Sequence, residues 1–274
     1  LNVTEGGNSQ TFAQQIAFLR SGLVSDIDVV DQTTSNLLAK AYVHFGFGAE
    51  AIQVLNLTDR TPETRIVESL AHIIGNATPR RANPFLGQSS CSGNVALWAV
   101  LSGDSSEQDL NENAVLRSFS ALPFHLRAML APKLSGRLIE LGHNDSAALV
   151  LQMVDRSGKT SSPSLEMAGA EVAQAQGFVQ KNTKILEKLA LEDSDFTPVA
   201  IAKLVDQYWE KQLPPPADIV DLLDAFVLEH RESSFGPKLR RSKLYSSILQ
   251  SDFSNAFDVV GEIDATDGSD ASRL

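Results

Sequence analysis

The sequence predicts an all-α fold, a row of stacked helix hairpins. Three observations carry that expectation. Ten-residue stretches of one cadence recur at Gly46 (GFGAEAIQVL), Gly142 (GHNDSAALVL), Gly177 (GFVQKNTKIL) and Ser251 (SDFSNAFDVV). Their turn positions keep a common spacing: 35 residues from Gly142 to Gly177, 35 more to Gln212 and 39 on to Ser251, with 96 between Gly46 and Gly142. No alternating apolar pattern is long enough to mark a strand. Repetition at this scale belongs to arrays in which each unit buries its apolar face against its neighbours.

The elements follow in order. Residues 1–10 are polar and Gly-rich, which predicts a flexible N-terminus. The helical-repeat domain is expected over 11–263, at its most regular over 123–263. Phe12, Ile16, Leu19 and Leu23 fall at helical spacing. Asp31 or Thr33 is placed to cap the next helix, whose apolar positions are Leu37, Leu38, Ala41, Tyr42 and Phe45. Gly46 and Gly48 break it, and Ala49 to Leu57 returns as the second arm of a hairpin. Thr61-Pro62-Glu63 opens a further helix, with proline where a missing N–H is harmless.

The pattern lapses over 76–94, an irregular loop whose length suits a functional segment. Helices resume over 95–101 and 110–122. Pro123 starts a long helix through Leu126, Leu130, Leu134, Leu138 and Leu141, and Ser146 to Val154 returns from it. After a polar loop over 156–162, helix 165–176 pairs with 178–191, 199–213 with 217–229, and 239–250 with 253–263. Residues 264–274 read as an acidic, disordered tail.

Small and aromatic residues within these hairpins carry a family likeness. Leu38, Ala39, Tyr42, Gly46, Ala51 and Leu55, with Pro62 after them, form the best-matching unit. Leu134, Ser135, Leu138, Gly142, Ala147 and Leu151 form the second, which lacks the aromatic. Asn182 and Ser247 depart from the pattern in later units. The chain resembles the tetratricopeptide-repeat family, whose unit is a helix hairpin of about 34 residues. That resemblance implies a right-handed α-α superhelix, a solenoid whose first helices line a concave face. It also implies a protein or peptide partner, and it places Asn36, Lys40, His44, Lys133, Glu140, Arg240 and Arg241 in the binding groove.

Charge and composition narrow the partner. The 274 residues carry a formal charge of −11, with 43% hydrophobic and 21% charged residues. Phosphate-backbone binding needs a cationic face, so nucleic acid is not expected. No apolar run reaches the roughly 20 residues that span a bilayer, and no signal peptide stands out. The expectation is a soluble chain of the cytoplasm, or of the periplasm in a bacterium, without direct membrane insertion. Opening on Leu1 suits a processed product or a piece of a longer protein. The second expectation, a helical arm of a larger enzyme or cell-envelope assembly, rests on that.

Chemistry-bearing residues are sparse. Cys91 is the single cysteine, so no internal disulfide or cysteine-rich zinc site is available. His44, His72, His125, His143 and His230 show no zinc-helix spacing. Gly158-Lys159-Thr160 lacks the first glycine of a P-loop, since Met153 stands there. The segment 87–93 meets no nucleophile-elbow frame and reads as a solvated linker. Asp264, Asp267 and Asp270 are spaced by three, unlike a calcium loop. Sequons at Asn2, Asn56, Asn76 and Asn144 are too common a pattern to interpret. No cofactor and no metal are expected, and the chain reads as non-catalytic. The enzyme alternative would use His125 or His143 with nearby acids. Arg80-Arg81 forms a basic loop, and Arg240-Arg241 with Lys238 and Lys243 a second cationic cluster, either suited to an acidic peptide or phosphate.

Overall fold

The computed structural model describes residues 11–23, 30–76, 83–103, 110–155 and 162–267, with the side chains of the last stretch through Ile263. Among them are fourteen helices and no strand. The chain forms two compact units, Leu1–Thr160 and Ser161–Leu274.

The first unit holds α1 (Phe12–Ser21), α2 (Gln32–Phe45), α3 (Gly48–Leu55), α4 (Pro62–Ile74), α5 (Val95–Leu101), α6 (Glu112–Ser120), α7 (Phe124–Glu140) and α8 (Asn144–Asp155). Consecutive helices pack in order: α1 on α2, α2 on α3, α3 on α4, α5 on α6 and α7 on α8. Next-but-one contacts of α2 with α4, α5 with α7 and α6 with α8 stack the pairs on one another. Residues Ala96–Leu101 of α5 are all buried, as befits a helix that is apolar all round. Its Trp98 is buried with Phe119 of α6 and Leu126, Leu130 and Leu134 of α7, the helices that pack on it.

The second unit holds α9 (Pro163–Ala175), α10 (Val179–Ala190), α11 (Thr197–Glu210), α12 (Ala217–Glu229), α13 (Gly236–Leu249) and α14 (Phe253–Asp267). Its core runs from Met167 and Ala170 through Leu186, Ile201 and Val205 to Leu223 and Leu239. Pro214, Pro215 and Pro216 hold α12 off the end of α11, and α12 packs more extensively on α13 than on α11. The last helix continues to Asp267, four residues into the stretch expected as tail.

The recurring turns share one geometry. At Gly46, Gly142, Gly177, Gln212 and Ser251 the backbone is left-handed, with φ between 53° and 91°. In each turn the next N–H, from Phe47, His143, Phe178, Leu213 or Asp252, donates to the carbonyl five residues back at 2.7–3.0 Å. This is the Schellman closure, which satisfies carbonyls that the helix end leaves unpaired. Five residues past the left-handed position comes the small residue of the repeat. Ala51, Ala147 and Ala256 are buried there, and Asn182 takes the same place in α10. Small side chains let the two arms of a hairpin approach closely.

One expectation needs correction and a second needs refining. Gly48 does not break the chain; it is the first residue of α3. A β-carbon on it would lie 2.3 Å from the Ala71 carbonyl oxygen and 2.6 Å from the Gly75 nitrogen, so it is glycine because α4 crosses there. The segment 87–93, expected as a solvated linker, is exposed at Gly87, Ser90, Ser92 and Gly93 but is also anchored. Phe85 just before it is 1% exposed and Ser89 is buried. The Ser89 carbonyl accepts from Asn111 N–H at 3.0 Å, and Arg117 of α6 donates to the Ser92 carbonyl at 3.2 Å. An aromatic anchor and those backbone bonds fasten the loop to α6. Within α7, Pro132 removes one ladder donor without ending the helix.

Candidate functional site

The cleft beside α2 is built from two helix beginnings and the chain between them. Asp31 caps α2, its side chain accepting from Thr34 N–H at 2.6 Å. The hydrogen bonds from Thr34 hold the Asp31 carboxyl below the usual range. Thr61 caps α4 in a reciprocal box with Thr64. Gln32 ties the two together: its Oε1 accepts from Asp59 N–H at 2.7 Å. The result is an open cleft of about 380 Å³ between α2 and the start of α4.

Asn36 and Lys40 line it, one turn apart on α2. Lys40 Nζ donates to Glu63 Oε1 across the cleft at 2.6 Å. That hydrogen bond, followed by the lysine's charge, holds the Glu63 carboxyl below the usual carboxylate range. Asn36 Oδ1 is enclosed and has no hydrogen-bond partner among the described residues. Leu37, 49% exposed, supplies an apolar wall between these polar groups. Sequence reasoning missed Gln32 at the start of α2 and, on the opposite wall, Asp59 and Glu63 as cleft residues; Thr61-Pro62-Glu63 signalled only that a helix starts there.

The other residues expected in the groove go elsewhere. His44 turns its ring to Phe45 and His125, with centroids 4.9 and 5.6 Å away. Lys133 Nζ donates to the Ile73 carbonyl at 3.3 Å, in the last turn of α4. Unpaired carbonyls and the negative end of the helix dipole both favour a cation there. Burial pushes the Lys133 ammonium below the usual lysine range, and the Arg137 charge pushes it further. Glu140 pairs with Arg137 on its own helix. Arg80 and Arg81 lie outside the described residues.

Arg240 and Arg241 belong to the second unit and face different ways. Arg240 is 4% exposed, and its Nη1 donates to the Arg231 carbonyl at 3.1 Å just past the end of α12. A buried guanidinium engaged in this way is a structural cap, not a partner-facing group. Arg241 lies nearer the surface, with Nη2 3.9 Å from Asp206 Oδ1. Lys243 pairs with Asp224 of α12 at 3.0 Å, so the cationic run is split among separate contacts.

Both histidines of the enzyme alternative have local partners. His125 Nε2 donates to the His44 carbonyl at 2.7 Å, at the end of α2. His143 Nδ1 is 3.0 Å from Glu112 Oε1, whose other oxygen accepts from Ser146 Oγ. The serine therefore turns to the carboxylate, without the serine–imidazole hydrogen bond that activates a nucleophile. The cluster fastens α6 to the α7–α8 turn.

Gly158-Lys159-Thr160 also lies outside the described residues. Among the described residues, no helix is long and apolar enough to cross a membrane. No protein-family model, curated protein or solved structure matches this chain.

Proposed function

We propose that the chain is a non-catalytic peptide-binding scaffold, a right-handed superhelix of tetratricopeptide-like hairpins whose cleft between α2 and α4 takes an extended peptide. One observation carries this reading: Asn36 and Lys40 meet Glu63 of the next hairpin in a single open cleft. Such a cleft offers both hydrogen-bond donors and acceptors beside the apolar wall of Leu37. Charged groups held on rigid helices make the stronger kind of hydrogen bond to a backbone or side chain. The residues that carry the family likeness support the same reading. Leu38, Ala39, Tyr42, Ala51 and Leu55 are buried in the α2–α3 hairpin, as are Leu134, Ser135, Leu138 and Ala147 in α7–α8.

The test is a selection of peptides from a random library on the purified chain, followed by titration into variants. The selected peptides should bind Lys40→Ala and Asn36→Ala at least tenfold more weakly, with both variants still folded by circular dichroism. Equal binding by both variants removes the cleft from the function.

A further inference from the structure

Within the second unit, α9, α11 and α13 bring charged groups together. Lys203 Nζ is 3.2 Å from Glu171 Oε1. Arg241 and Asp206 approach only to 3.9 Å, too far for a hydrogen bond. Arg241 Nε is enclosed and has no hydrogen-bond partner among the described residues. Lys238, partly buried in the first turn of α13, has neither an ion pair nor a side-chain hydrogen bond among them. That first turn also holds no acid, and the positive end of the helix dipole disfavours a lysine there.

Lys203 and Asp206 lie one turn apart on α11, Lys238 and Arg241 one turn apart on α13, and the two helices pack on each other, so three cations share two carboxylates. Burial pushes the Lys238 ammonium below the usual lysine range. Asp206 opposes that push, Lys203 and Arg241 add to it, and Glu171 opposes it weakly. On a chain of formal charge −11, the under-satisfied Lys238 and Arg241, with the paired Lys203 beside them, call for an anion that the described residues do not supply. The guanidinium is already oriented: Arg241 Cζ lies 5.8 Å from the Tyr245 ring centroid, and Tyr245 stacks on Trp209 at 4.4 Å and 14°. A pre-ordered arginine loses less freedom when it binds.

We infer that Lys203, Lys238 and Arg241 form a binding site for a phosphate group. A tetrahedral phosphate presents three acceptor oxygens to three cationic heads, and arginine matches two of them at once. A carboxylate offers two oxygens and leaves one head unanswered. The site shares no residue with the α2–α4 cleft, so either can fail without the other.

Trp209 is a built-in reporter, because the other tryptophan, Trp98, is buried in the first unit. The full chain is titrated with inorganic phosphate, with N-acetyl-phosphoserine amide and with acetate, against sodium chloride at matched ionic strength. Tryptophan emission should change saturably with phosphate, and the dissociation constant should rise at least tenfold in Lys238→Gln and in Arg241→Gln. Circular dichroism checks each variant, and Arg241→Gln keeps the test decisive if Lys238→Gln does not fold. A response to phosphoserine as well assigns the site to a phosphorylated partner; a response to inorganic phosphate alone assigns it to the free ion. An acetate response equal to that of phosphate overturns the assignment. So does a response that chloride reproduces, or one that both variants retain.

Discussion

Asn182 of α10 donates its side-chain amide to the Ala170 carbonyl of α9 at 2.6 Å. Its Oδ1 accepts from Gln207 of α11, and Thr183 Oγ1 donates to Gln207 Oε1 at 2.7 Å. Asn182 is 1% exposed and stands where the other repeats place alanine. One buried amide therefore joins three consecutive helices, and the departure from the repeat is a polar clasp.

Asn182→Ala restores the repeat pattern yet should destabilise the protein. It unpairs the Gln207 amide and leaves a gap between α9 and α10. The expected loss is about 1–3 kcal/mol in denaturant unfolding, with the slope unchanged. A cycle with Gln207→Ala should show coupling of at least about 0.5 kcal/mol.

Gly48 and Gly136 both lie in helices, and alanine should act oppositely at the two. At Gly136 nothing lies within 4 Å of an added β-carbon, so Gly136→Ala should stabilise by about 0.5–1 kcal/mol. At Gly48 the β-carbon meets the backbone of α4, which cannot move aside as a side chain can. Gly48→Ala should cost about 1–3 kcal/mol despite alanine's better helix propensity. Thermal melting of the two variants checks both signs.

The Lys40–Glu63 pair sets a pH dependence. Glu63 titrates below its ordinary value of 4.5 in the folded chain, so the folded state holds fewer protons there than the unfolded one. The pair's contribution is complete above the unfolded value and is lost as pH falls through the folded one. Both side chains are substantially solvent-exposed, so Lys40→Ala should cost less than about 1 kcal/mol at neutral pH. The Glu63 carboxyl should titrate closer to its ordinary value in that variant, as read from its side-chain carbon shift by NMR.

Arg240→Ala and Arg241→Ala separate two neighbours that the sequence presents alike. Losing the buried bond from Arg240 to the Arg231 carbonyl should cost about 1.5–3 kcal/mol. Arg241→Ala, which loses a loose pair to Asp206 and a partly exposed contact with the Tyr245 ring, should stay within about 1 kcal/mol. Chemical denaturation of each variant measures the difference.

That contrast shows where sequence reasoning stops. The helices and their order were legible, because apolar spacing and Gly46, Gly142 and Gly177 mark each arm and turn. Ser251 was found through the cadence that follows it and Gln212 only through the period, since neither residue prefers left-handed backbone. The rotation of about 100° between Arg240 and Arg241 on a helix sends one inward and the other outward, and adjacent letters do not reveal which. Gly48 looked like a breaker because its reason is a crossing with α4, a contact distant in sequence. The anchoring of segment 87–93 was not legible because the Ser89 and Ser92 carbonyls are met by Asn111 and Arg117, at the start of and within the later helix α6. Of the cleft, the α2 wall was legible through Asn36 and Lys40. The opposite wall was not, because Glu63 enters only when α4 folds back beside α2.

The central claim is that the α2–α4 cleft holds a peptide, and NMR chemical-shift mapping with a library-selected peptide tests it most directly. The largest amide shifts should fall on Asn36, Leu37, Lys40, Thr61 and Glu63, saturating together at one stoichiometric equivalent. Saturating shifts that leave these five residues still and cluster on another face would contradict it.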